Sequence, residues 1–98
     1  YTEKDFFVLE IQGNSMSPKL LNGDRVLVKR CDSVDSGTIV VFLYNGIEST
    51  VKRVRYVAGE DWLELVPDNA DNPVKRDEGP DLEGCRVLGK IVYLFRKM

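Results

Sequence analysis

Ninety-eight residues, 43% apolar and 31% charged, bound a single small globular domain with one core and little surplus stability. A net charge of −2 argues against gripping nucleic acid by bulk electrostatics, and no apolar run approaches the roughly 20 residues that span a bilayer. There is no histidine, and Cys31 and Cys85 stand far apart. Two such cysteines read as free thiols in a reducing, cytoplasmic compartment, with neither a metal site nor a cofactor implied.

Phe6 to Gln12, apolar and β-branched, reads as a first strand that Gly13-Asn14 ends. Ser17-Pro18 has the form of a helix start, and Asn22-Gly23 stops that helix after about one turn. Arg25 to Arg30 alternates, with Val26 and Val28 on one side and Leu27 and Lys29 on the other. Ile39 to Tyr44 is a dense apolar run expected to be buried on both faces. Asn45-Gly46 then marks a hairpin, because both central residues of a type I′ turn need positive φ. The return strand is expected from Ile47 to as far as Val57, with Lys52 in its middle. Trp62 to Val66 reads as a short strand and Arg86 to Arg96 as the last one. Between them Pro67 to Glu83, acidic and proline-bearing, reads as an irregular loop of about 17 residues. The fold class is mostly β, with one short helix after Ser15.

Taken singly, Ser15 is a turn residue, Lys52 an outward strand charge, and the 68–83 acids a solvated surface. Asp24, after Gly23, reads as turn chemistry with no catalytic part. Ser15 and Lys52 gain meaning together. In a chain without imidazole a serine nucleophile needs another base, and a desolvated lysine can be one. Lowering a lysine pKa from about 10.4 to about 7 takes roughly 4 kcal/mol of desolvation and neighbouring charge. Counting outward from Asn45-Gly46 puts Val40 or Phe42 opposite Lys52, an apolar wall that favours the neutral amine. Ser15, where a strand breaks into a turn, has its own N–H and those of Asn14 or Met16 available for an oxyanion.

Gly13-Asn14-Ser15-Met16-Ser17-Pro18, then Gly23-Asp24, Gly37 and Thr50-Val51-Lys52-Arg53 resemble the catalytic domain of LexA-type repressors, lambda-type phage repressors and UmuD-like proteins. Leu65-Val66-Pro67-Asp68-Asn69 and Val87 to Val92 follow that pattern more loosely. The resemblance implies a LexA catalytic-type, β-clip fold over the whole of 1–98. It also implies a Ser–Lys dyad, with Ser15 as nucleophile and Lys52 as general base, that cleaves a bond of its own chain. Dimerisation through this domain, operator DNA bound by a separate N-terminal domain, and stimulation by an activated recombinase filament come with it. Only 14 residues precede Ser15, without the Ala-Gly bond such proteins cut, so the cleavage segment and DNA-binding domain are expected to lie outside this chain.

Two other readings stay open. Ser15-Met16-Ser17-Pro18, Gly23-Asp24 and Lys52-Arg53-Val54 also resemble a type I signal peptidase, although Pro67 to Asn72 lacks its Gly-Asp-Asn-Arg type element. Alternatively, the domain is a non-cleaving dimerisation module of a transcription factor.

Overall fold

The computed structural model describes residues 5–46 and 48–96. Seven strands form one antiparallel sheet: β1 (Phe6–Glu10), β2 (Arg25–Arg30), β3 (Ile39–Tyr44), β4 (Glu48–Tyr56), β5 (Trp62–Val66), β6 (Lys75–Glu78) and β7 (Arg86–Phe95). Their spatial order is β1-β2-β7-β3-β4-β5-β6. The last strand in sequence therefore lies between β2 and β3 and joins the two halves of the sheet.

β3 is the centre of the core. Val40, Val41 and Phe42 are 0%, 2% and 1% exposed, so both of its faces are covered, as its unbroken apolar run implies. Val41 packs with Ile11, Met16, Leu20, Val26 and Val28 on one side. Val40 and Phe42 pack with Val54 and Leu65 on the other. Val26 and Val28 point inward from β2, in keeping with its alternation.

Asn45 and Gly46 both have positive φ, 55° and 74°, and the ladder they begin pairs Tyr44 with Glu48 and Val40 with Lys52. Ile47, where the return strand was expected to start, lies outside the described residues. Val40, rather than Phe42, is thus the residue opposite Lys52.

The chain departs from expectation in two places. The expected short helix after Ser15 is a set of turns, with one i to i−3 bond from the Ser17 N–H to the Asn14 carbonyl at 3.1 Å and one i to i−4 bond from the Leu20 N–H to the Met16 carbonyl at 2.9 Å. So short a segment cannot offset the cost of starting a helix. The irregular loop expected over Pro67 to Glu83 in fact holds β6 and a 3-10 helix at Gly79–Gly84. β6 is polar in sequence, and cross-strand contacts stabilise it. Arg76 lies over the Trp62 ring at 4.4 Å and pairs with Glu64 and Glu78, while Lys75 lies over Tyr44 at 3.9 Å.

Candidate active site

Ser15 sits on an excursion between β1 and β2 whose neck is tied by backbone bonds. The Ile11 N–H donates to the Asp24 carbonyl at 2.7 Å, and the Gly23 N–H to the Ile11 carbonyl at 2.9 Å. Inside the neck, the Gly13 N–H donates to Asn22 Oδ1 at 2.8 Å, and Gly13 takes a φ of 82° that only glycine adopts at little cost. Met16, 1% exposed, anchors the excursion in the core and leaves Ser15 at the surface of that anchor.

Asp24 belongs to this neck. It is buried, accepts the Leu21 N–H at 2.8 Å and takes two bonds from Arg96 at 3.1 and 2.7 Å. The Arg96 hydrogen bonds, helped by the Leu21 N–H, hold its carboxyl below the usual range, against the opposing effect of burial. Its part is to fix the turn to the end of β7.

Lys52 lies on β4, just before β5 pairing begins at Arg53. Its Nζ reaches Ser15 Oγ at 2.9 Å across 37 positions of sequence. The same nitrogen donates to Thr50 Oγ1 at 2.7 Å and to the Val51 carbonyl at 3.2 Å. Desolvation by burial pushes the lysine pKa down from its ordinary 10.5. The apolar surroundings differ from those expected. Val40 stands opposite in the ladder, but the cavity of about 200 Å³ beside Ser15 and Lys52 is lined by apolar Leu9, Ile11, Met16, Val41 and Val51 together with polar Glu10, Gln12, Ser49 and Thr50.

The geometry suits a base. The Val51 carbonyl can only accept, so the amine spends a proton there, and Thr50 Oγ1 can take another. A neutral amine then has its lone pair left for the Ser15 hydroxyl proton. Ser15 and Lys52, singled out from sequence, are brought together. Among the described residues neither the Ser15 nor the Met16 N–H donates to a backbone carbonyl.

Two neighbours were not anticipated. Thr50 holds the lysine, and Thr-x-Lys spacing on a strand, which puts both side chains on one face, was the signal for it. Asp68, read as surface charge, instead takes a bidentate pair from Arg53 at 3.1 and 3.0 Å, and Arg53 also donates to the Gly37 carbonyl at 2.7 Å. Among the described residues no group of His, Cys, Asp or Glu is arranged to hold a metal ion, and no helix is long and apolar enough to cross a membrane. Cys31 and Cys85 are free thiols.

The family model described as Peptidase S24-like matches residues 1–92. The chain belongs to that family. This S24-like domain is 37% identical over 95 residues to the LexA repressor of Clostridium botulinum strain Hall, a match covering 96% of this chain and 43% of that protein. The LexA repressor of Clostridium botulinum strain Langeland is 36% identical over the same shares of the two chains. That of Shouchella clausii strain KSM-K16 is 35% identical over 91 residues, 92% of this chain and 40% of the repressor. The S24-like chain thus spans less than half the length of the curated relatives it matches. Its mostly antiparallel β architecture is that expected from the LexA-type resemblance.

Proposed function

We propose that residues 1–98 are the self-cleavage and dimerisation domain of a LexA- or phage-repressor-like transcriptional regulator, with Ser15 as nucleophile and Lys52 as general base. The observation that carries this reading is the 2.9 Å approach of Lys52 Nζ to Ser15 Oγ in a half-buried site, lined in part by apolar side chains, of an S24-like chain. Neutral Lys52 takes the Ser15 hydroxyl proton as Oγ attacks the carbonyl carbon of a peptide bond. The oxyanion rests on backbone N–H groups at the Ser15 turn. Collapse expels the amine, which leaves with the proton from Lys52, and an acyl-serine remains. Water then gives a proton to Lys52 and attacks the ester, and Ser15 departs with that proton restored. The peptide bond cut lies in the regulator's own chain, upstream of the domain. Operator DNA is bound by an N-terminal domain outside residues 1–98, a second copy pairs through this domain, and an activated recombinase filament is the stimulus, in the cytoplasm.

The test is self-cleavage of the full-length protein at pH 9–10, where neutral Lys52 is populated without an activator. Cleavage should be lost in Ser15→Ala and in Lys52→Arg, since arginine keeps the charge but cannot act as a base near neutral pH. Retained cleavage in Lys52→Arg would refute the lysine-base assignment. An intact wild-type chain that behaves as Ser15→Ala does would instead make this a non-cleaving dimerisation module.

A further inference from the structure

We propose that Asn69 is a positioning residue that holds the Ser15 peptide groups in the geometry of an oxyanion site; this rests on the Ser15–Lys52 reading above. Asn69 follows β5 and meets the nucleophile turn across 55 positions of sequence, where its Nδ2 donates to the Asn14 carbonyl at 3.1 Å. Its main-chain N–H donates to the Ser15 carbonyl at 3.0 Å. Asn69 thus contacts both peptide planes that flank the Ser15 Cα; the first is also held by the Ser17 N–H, which donates to the same Asn14 carbonyl at 3.1 Å, whereas the second is held by Asn69. Two fixed planes set φ and ψ of Ser15, and with them the direction of Cβ and the reach of Oγ toward Lys52.

The bond to the Asn14 carbonyl has a second effect. In a planar trans peptide the N–H points opposite to the C=O. Drawing the Asn14 carbonyl toward Asn69 and the Ser17 N–H therefore turns the Ser15 N–H away from both. That N–H meets no backbone acceptor among the described residues and remains available to a developing oxyanion. Asn69 is itself held. Its Oδ1 accepts the Asp71 N–H at 3.0 Å, and its neighbour Asp68 is clamped by Arg53, the residue next to Lys52. The segment around Asn69 is thereby tied both to the strand carrying the base and to the turn carrying the nucleophile.

The experiment is phosphonylation of Ser15 by a fluorophosphonate in the full-length protein, followed by intact mass between pH 6 and 10. Ser15 Oγ bonds to phosphorus, fluoride leaves and Lys52 takes the proton, so the probe needs no scissile segment, and its phosphoryl oxygen falls where the oxyanion would. Asn69→Ala removes the side-chain donor, and Asn69→Asp removes it while keeping the acceptor for Asp71. In Asn69→Ala the alkaline plateau rate should fall by about tenfold or more, with the midpoint of the pH–rate curve unchanged, because an oxyanion donor is worth roughly 10²–10³ in rate. Asn69→Asp should lose a comparable plateau rate, which keeps the test valid where Asn69→Ala folds poorly. Rates within threefold of wild type in both variants would overturn the proposal. So would a midpoint in Asn69→Ala displaced toward the ordinary lysine value, because Asn69 would then act through Lys52. Labelling that persists in Ser15→Ala, or wild-type labelling that is indifferent to Lys52→Ala, would sink the dyad reading itself and this proposal with it.

Discussion

Thr50 Oγ1 lies 2.7 Å from Lys52 Nζ, closer than Ser15 Oγ at 2.9 Å. Two residues apart on a strand, the two side chains share a face, and the threonine sets where the amine sits. Thr50→Val keeps the shape and removes the acceptor. Self-cleavage of the full-length protein should slow by about tenfold, within what a misplaced general base forfeits, and Thr50→Ser should restore most of it. Single-turnover cleavage rates at one alkaline pH check this, and equal rates in Thr50→Val and wild type would refute it.

The depressed pKa of Lys52 also bears on stability. Between the folded-state pKa and the ordinary 10.5, the unfolded chain binds a proton that the folded chain does not. Stability contributed at Lys52 therefore rises with pH across that window and is flat above it. Below the folded pKa both states are charged, and the fold carries the desolvation cost. Lys52→Met should gain most in melting temperature, relative to wild type, at neutral pH, with the gain shrinking as pH approaches 10.5. Paired thermal melts from pH 7 to 10.5 test the trend; a constant difference would contradict it.

Asp24 behaves in the opposite sense. Its folded pKa is lowered, chiefly by Arg96, so its contribution is present above the ordinary carboxyl value of 3.8 and is lost as pH falls through the folded pKa. Asp24→Asn should lower the melting temperature at pH 7 and flatten the acid side of the stability curve. Melts between pH 2 and 6 that keep the wild-type acid slope would rule out this role.

Gly89, on β7, has no room for a side chain. A Cβ there would sit 2.5 Å from Val28 Cγ1 and 2.6 Å from the Lys29 carbonyl oxygen. Backbone on β2 would have to shift, so Gly89→Ala should cost roughly 1–3 kcal/mol, the range of core overpacking. Urea unfolding measures it, and an unchanged midpoint would mean that β2 and β7 separate more easily than this packing implies.

The strands were legible where local pattern decides them. β2, β3 and β5 carry alternation or dense apolar runs, and their limits match the reading from sequence. β6 was not legible, because Lys75–Glu78 has no apolar pattern and depends on Trp62, Tyr44 and Glu64 across the sheet. The turn after Ser15 carries helix-start residues but too few bonds to make a helix. Ser15 and Lys52 could be paired because the chain offers no histidine. Asp68 and Asn69 could not be assigned their partners, since those contacts depend on where the β5–β6 connection runs. Nor does any local signal put β7 between β2 and β3.

That insertion of β7 has a consequence for how the two halves are coupled. The serine lies on the β1–β2 half of the sheet and the lysine on the β3–β6 half, and only the final strand pairs with both. Among the described residues β2 and β3 share no other strand partner. Arg96, reaching back to Asp24, then ties the end of that strand to the neck of the serine turn. The Ser15–Lys52 contact therefore bridges two halves of the sheet whose strand pairing runs through β7, so that loosening β7 would loosen both sides of that contact together.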